Sequence, residues 1–404
     1  MLGGSRALAA LLGFVAVALV ARSLGPAELG LLSMALAVFG WAQHAAECGL
    51  RSVVTAETGW RRAFLPLLST YMILRMSCAA ATATVVIGTT YVLAPGMAMP
   101  VSWLCGALFA VALQFDWVPL ATGRSGEAGL LLLARPCAML VLLAAIPVET
   151  ATGVAALTAV AWWCAAALSW PSLRHGRRDA AEGEPLAATR MLRLGWPLMA
   201  VALTSQAQLA LDLLIVGHLF GPAQAGQYFL ASAIVGAGLV LANATGQFAM
   251  ARMAPLRDNP AAFARELARE LRLVGLVVLL GACLLATAAP LVVPAAFGAA
   301  YAPVTVLIPW LLPWLLLQSL TTVTQGALTA ARRQPQLLRA NLALLAALAI
   351  GLPVAARYGT LEAFAACRAA AEAVRLAALL IPFLALSVPR PSSARNRRPR
   401  PAAP

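Results

Sequence analysis

The segment "QHAAECGLR" carries His44, Glu47 and Arg51 at i, i+3 and i+7, a spacing that sets three polar side chains along one face of a helix. They lie within a run apolar enough to cross a bilayer. An ionisable group deep in such a run costs about 2.5–3.5 kcal/mol on insertion scales, so each one asks for a reason. Two readings stand: the face lines a water-accessible cavity, or Glu47 and Arg51 satisfy each other among packed helices. Asp212, in "QAQLALDLLIVGHLFG", and Asp116, in "LQFDWVPL", are further carboxylates inside apolar runs. Burial raises the pKa of a carboxylate, so either could carry a coupling proton or cation. The competing reading is a hydrogen bond between helices.

Three more groups of charges fall inside apolar runs. "CRAAAEAVR" sets Arg368, Glu372 and Arg375 on one face, where the i,i+4 spacing predicts that Arg368 neutralises Glu372. This stripe reads as a bridge to a neighbouring helix or as a substrate contact. Arg75 and Arg135 lie a third to half of the way along their runs, and their long stems are expected to snorkel to a membrane face. No GxSxG, Walker, HExxH or paired-carboxylate pattern occurs, and His44, His175 and His218 are far apart. The seven cysteines are scattered singly without CxxC or Cys/His metal spacing, and read as small buried hydrophobes. The chain therefore offers a path and not a reaction centre, with no cofactor, metal or enzymatic activity expected.

The elements that position these groups follow from composition. The chain is 62% hydrophobic and 11% charged, with a mean hydropathy of +0.85; soluble domains are nearer half apolar and a quarter charged. Twelve apolar stretches predict membrane helices at about 5–22, 28–54, 64–93, 100–122, 127–147, 151–173, 194–219, 223–251, 270–293, 301–330, 335–356 and 360–387. All 29 basic residues are arginine and the net charge is +14. The arginines gather in alternate loops and not on a soluble domain, which argues against nucleic acid. Arg61, Arg62, Arg124, Arg174, Arg177, Arg178, Arg190, Arg193, Arg252, Arg257, Arg265, Arg269, Arg332 and Arg333 fall on one side, with Arg390, Arg395, Arg397, Arg398 and Arg400 of the tail, and Arg22 and Arg357 on the other. The positive-inside rule then places both termini in the cytoplasm.

The phrase "LGPAELG" at residues 24–30 returns as "FGPAQAG" at 220–226, a shift of 196 (222 − 26). The shift carries Glu47 onto Asn243 and Arg51 onto Gln247, so both halves place polar groups at one depth on the repeat-related helix. Six helices per half is even, so the halves are parallel repeats about an axis along the membrane normal, with a seam at the centre. Each Gly-Pro phrase is a corner: glycine allows the reversal and proline suits the first turn of the next helix. The expected organisation is an N-terminal six-helix lobe over residues 1–173, a linker over 174–193, a C-terminal lobe over 194–387 and a disordered basic tail over 388–404. The tail reads either as a contact with anionic lipid or as a solvated segment.

"VARSLGPAELGLLSMALAVFGWAQHAAECGLRSVVTAE" resembles the first two helices of the bacterial oligosaccharide flippases, the polysaccharide-biosynthesis exporters. "RLGWPLMAVALTSQAQLALDLLIVGHLFGPAQAGQYFLASAI" resembles their seventh and eighth. The resemblance implies an all-α polytopic protein of two lobes around a central cavity, in the bacterial cytoplasmic membrane. It implies translocation of undecaprenyl-diphosphate-linked oligosaccharide by alternating access, with the bilayer, a polysaccharide polymerase and glycosyltransferases as partners. Related lipid II flippases place arginines at the end of helix 1 and on helix 2, and Arg22 and Arg51 match in location. Arg22, His44, Glu47, Arg51, Asn243 and Gln247 are thus the expected substrate contacts, and Asp212 and Asp116 the expected ion-coupling groups. The alternatives are a drug or cation antiporter of the same superfold and, more distantly, a membrane polysaccharide polymerase or acyltransferase.

Overall fold

The computed structural model describes residues 2–57, 64–174, 187–240, 242, 245–246, 252–256, 259–331 and 334–387. Asn243, Gln247, most of the linker and the basic tail lie outside the described residues. The chain is almost entirely helical, as its apolar composition demands: inside hydrocarbon a helix satisfies every backbone donor and acceptor within itself. The helices are α1 (Leu2–Glu47), α2 (Leu50–Glu57), α3 (Phe64–Leu93), α4 (Ala98–Ala112), α5 (Trp117–Ala121), α6 (Ser125–Ala145) and α7 (Ala151–Ser169). They continue as α8 (Ala188–Phe220), α9 (Pro222–Ala237), α10 (Pro260–Phe297), α11 (Val304–Ala330), α12 (Gln334–Tyr358) and α13 (Leu361–Ser387).

Among the described residues, eight helices are long and apolar enough to cross a membrane, and nine with α8, which bends by 42°. Two limbs within α1, together with α9 and α13, bring the number of membrane helices to about twelve. On α10, Leu273, Leu276, Leu280, Leu284 and Leu291 are exposed, at the spacing of one helix face. That face suits lipid.

The 46 residues of α1 would span roughly 69 Å at 1.5 Å each, twice a bilayer core, so the helix must fold back. It does so at Gly25 (φ 72, ψ 171), with Pro26 opening the second limb. Gly221 (φ 90, ψ 173) and Pro222 repeat this conformation between α8 and α9. Such a φ favours glycine. The last glycine of each phrase does something the sequence did not foretell. A Cβ on Gly30 would collide with the Pro222 carbonyl, and one on Gly226 with the Pro26 carbonyl. The second limb of α1 and α9 therefore cross backbone to backbone at the corner end of the molecule. Glu28 of the first phrase also accepts from the Ala151 amide at 2.6 Å, beside the Thr150 hydroxyl that caps α7 through Gly153 N.

Away from the corners the second limb of α1 follows α8, meeting it at Met34 and Gly217 and at Gly40 and Gln206, and the residues just after it continue the line at Gly49 and Gly195. This contact line is one side of the seam. Within the N-terminal lobe, α4 packs on α7 through Val101, Leu104, Leu108 and Val154; within the C-terminal lobe, α11 forms the centre with Leu307, Ile308, Leu311 and Trp314. Two membrane helices of the N-terminal lobe are broken. The break between α1 and α2 falls at Cys48 (φ 45) and Gly49 (φ 66). The other separates α4 from α5 at 113–116, where Phe115 N donates to the Ser169 hydroxyl at 2.9 Å. Irregular backbone at membrane depth persists where it is buried in protein or lines a cavity.

Candidate functional site

The two breaks face each other and carry the charges. From the first, Arg51 Nη2 reaches Asp116 Oδ2 in the second at 2.7 Å. Its Nη1 stands 4.0 Å from Glu47 Oε1, and the same Glu47 oxygen lies 3.8 Å from Arg75 Nη2 on α3. Arg75 closes the series by donating to the Tyr71 hydroxyl at 2.7 Å, and Tyr71 packs edge-on against Trp117. Two carboxylates thus meet two guanidinium groups, and the quartet has a wet edge and a dry one: the Arg51 side chain is 35% exposed, that of Arg75 1%. His44 is half-buried one turn from Glu47.

One expectation is corrected here. Arg75 does not snorkel; a carboxylate and a phenol hold it in the interior, where neutralisation costs less than a stretched stem. Asp116 pairs with Arg51, so helix α2 supplies the cation that its own helix lacks. Arg22 is exposed on the first limb of α1. It stands three residues before the corner, so most of a span, roughly 30–40 Å of helix, separates it from Arg51. The fold does not bring these two arginines together.

A second quartet occupies the C-terminal lobe. Asp212 accepts from the Tyr228 hydroxyl at 2.8 Å and pairs with Arg368 Nη1 at 3.3 Å. Arg368 also donates to the Ser232 hydroxyl at 3.2 Å and lies 3.8 Å over the Trp314 ring. Glu372 meets Arg375 at 3.6 Å. The expected neutralisation of Glu372 by Arg368 gives way to pairing one turn along, because Arg368 is drawn across to Asp212. Of the two readings for this stripe, the structure shows the bridge to a neighbouring helix. All four charged side chains are at most 5% exposed.

Three cavities adjoin the seam. A cleft of about 620 Å³ lies between α1 and α3 and takes Leu203 from the opposite lobe. A cleft of about 380 Å³ lies among α9, α10 and α11 and takes Ala7 from the opposite lobe. Their linings correspond under the shift of 196: Ala7 with Leu203, Trp41 with Ala237, Ala42 with Gly238, Thr82 with Val278. The pseudo-twofold relation therefore extends from the corners to the flanks of the seam. The third cavity, about 150 Å³, lies inside the N-terminal lobe among α1, α6 and α7 and touches Phe229 of α9. Arg135 lines it, with its guanidinium 4.7 Å over the Trp162 ring. Arg135, expected to snorkel to the cytoplasmic face, is exposed and stacks on Trp162, a neighbour that the sequence did not single out.

This geometry defines a class: a two-lobed, parallel-repeat membrane protein with the fold of the multidrug, oligosaccharidyl-lipid and polysaccharide (MOP) transporters. The lipid II flippase MurJ, in an inward closed conformation, is similar with a TM-score of 0.71 at 10% identity over 94% of this chain and 88% of that one. A multidrug-resistance MATE transporter of the MOP superfamily, inward-facing, gives 0.64 at 13% identity over 95% and 92%. A MOP-superfamily transporter from Pyrococcus furiosus, described as having a binding pocket of reverse polarity, gives 0.67 at 12% identity over 95% and 93%. Within this class, residues 139–306 match the family described as polysaccharide biosynthesis protein, in line with the resemblance to the polysaccharide exporters carried by the opening helices. A search of curated proteins finds no matching sequence.

Proposed function

We propose that this protein flips an undecaprenyl-diphosphate-linked oligosaccharide from the cytoplasmic to the outer leaflet by rocking its two lobes about the Gly30–Gly226 crossing. The observation that carries this reading is the match of residues 139–306, on both sides of the seam, to a polysaccharide-biosynthesis family. The charge arrangement supports it. Among the described residues Asp116, Asp212, Glu47 and Glu372 each have a guanidinium within 4.0 Å, so these membrane carboxylates are already matched by cations. The accessible charge of the N-terminal quartet is Arg51, which suits an anionic head group. Guanidinium meets phosphate in a planar, two-pronged way. In this reading Arg51 meets the diphosphate near the cytoplasmic opening and Arg22 near the exit, with His44, Glu47, Asn243 and Gln247 on sugar hydroxyls between them.

A drug or cation antiporter is the second reading, favoured by the likeness to MATE transporters. In that case Asp212 or Asp116 must release its arginine to take up a proton or cation. The two readings separate in proteoliposomes. Lipid-linked oligosaccharide placed in one leaflet and probed with a glycosidase from the other side should cross only with the protein present. Proton-coupled efflux of an organic cation, with no movement of the lipid-linked sugar, would replace the flippase by the antiporter. A deletion strain that keeps its normal surface glycan would count equally against the proposal.

A further inference from the structure

Arginines placed inside the spans mostly find carboxylates: Arg51, Arg75, Arg368 and Arg375 each have one within 4.0 Å. Arg135 does not. Among the described residues its guanidinium stacks on the face of Trp162, and Arg135 is an exposed residue that also borders the cavity. Stacking on an aromatic face holds the plane of a guanidinium and leaves its N–H edge open, the edge that grips a phosphoryl group with two parallel hydrogen bonds. Thr158, the polar neighbour in the wall, donates its hydroxyl to the Val154 carbonyl at 2.8 Å. The cavity, about 150 Å³, is well above the ~10–15 Å³ that one water needs.

We propose that Arg135, braced on Trp162, is a phosphoryl-anion site inside the N-terminal lobe, distinct from the Arg51 quartet, and that its ligand is a lipid-borne phosphate or diphosphate. The remaining wall decides for a lipid. Val17, Val20, Leu32, Leu36, Met139 and Phe229 are apolar and offer a hydrated free anion no replacement for its water. A lipid brings its own apolar chain to such walls. Phe229 belongs to the opposite lobe, so the cavity adjoins the seam and a head group held at Arg135 can leave its sugar chain in the space between lobes. The anion follows from this geometry alone; its assignment to a polyprenyl carrier rests on the flippase reading above.

The test uses the full chain in phosphatidylcholine nanodiscs. Binding of undecaprenyl diphosphate, inorganic diphosphate, phosphatidylglycerol and uncharged undecaprenol is measured for the wild type, Arg135→Gln and Arg135→Lys. Undecaprenyl diphosphate should bind the wild type at least tenfold more tightly than Arg135→Gln, with Arg135→Lys between them and undecaprenol indifferent to either change. Equal binding of undecaprenyl diphosphate by wild type and Arg135→Gln overturns the site and leaves the flippase reading intact. Binding of phosphatidylglycerol that depends on Arg135, with none of undecaprenyl diphosphate, supports the lipid-anion site and removes the polyprenyl assignment, whereas binding of inorganic diphosphate alone overturns the lipid-borne ligand. No binding of any anion by the wild type overturns the site. Should Arg135→Gln fail to reach the membrane, Arg135→Lys decides: a loss of threefold or more supports the two-pronged contact, and unchanged affinity overturns it.

Discussion

Each lobe sets two carboxylates against two guanidinium groups, yet the quartets sit in different surroundings. In the N-terminal lobe Glu47, Arg51, Arg75 and Asp116 gather where two helices are broken, and Arg51 keeps a third of its side chain exposed. In the C-terminal lobe Asp212, Arg368, Glu372 and Arg375 sit on α8 and α13, and their side chains are almost fully buried. Charge count is therefore no guide to role. A dry, charge-balanced quartet between packed helices holds a lobe together, and a quartet with one wet guanidinium beside a helix break can exchange a partner for a ligand.

The contrast is broken most forcefully through Arg368. Arg368→Ala leaves Asp212 buried with one partner fewer and should cost about 3–5 kcal/mol, read as a large drop in melting temperature and membrane yield. The pair Arg368→Met and Asp212→Asn should recover much of that loss, because no uncompensated charge remains. A wild-type melting curve for the single variant would end the structural reading of this quartet.

The crossing between lobes comes next. Gly226→Ala forces a methyl against the Pro26 carbonyl, and overpacking of this kind typically costs about 1–3 kcal/mol. Gly236→Ala, with nothing near its Cβ position, should be close to neutral on the same thermal assay. Equal melting of the two variants would show that the backbone crossing does not constrain the lobes.

Arg51 sharpens the comparison from the functional side. Arg51→Ala should lower export at least tenfold, equivalent to about 1.4 kcal/mol, with a smaller loss of stability than Arg368→Ala because water reaches this site. Adding Asp116→Asn should restore stability and leave export defective. Arg51→Lys should also be impaired, as it keeps the charge and loses the planar fork. Full glycan export by Arg51→Lys at normal membrane level would remove the two-pronged contact.

The smallest effect concerns a shared structural detail. Thr150→Ala removes the side-chain cap of α7 and should cost about 1 kcal/mol, visible in melting and not in export. Glu28 still accepts from Ala151, so a loss well beyond that figure would mean that the two caps act as a unit.

Composition, periodicity and one duplicated phrase were enough to read an all-helical membrane chain of two related halves. These signals are local: apolar length measures a bilayer, and Gly-Pro marks a corner wherever it falls. The conformations of Gly25 and Gly221 and the matched clefts follow the same shift of 196 because each half folds by the same local rules. What remained illegible was partnership. Asp116 finds Arg51 across 65 positions of sequence, and Asp212 finds Arg368 from the far end of its lobe. Arg75 was read as reaching for the cytoplasmic face, yet it is held inside by Glu47 and Tyr71, while Arg135 stays exposed and stacks on Trp162. A charge in low dielectric takes whichever counter-group packing brings near, and helix periodicity records only neighbours on the same helix. The sequence by itself determined which residues would be expensive to bury; the packing of the helices decided which of them were neutralised inside and which, Arg51 and Arg135, kept exposed surface.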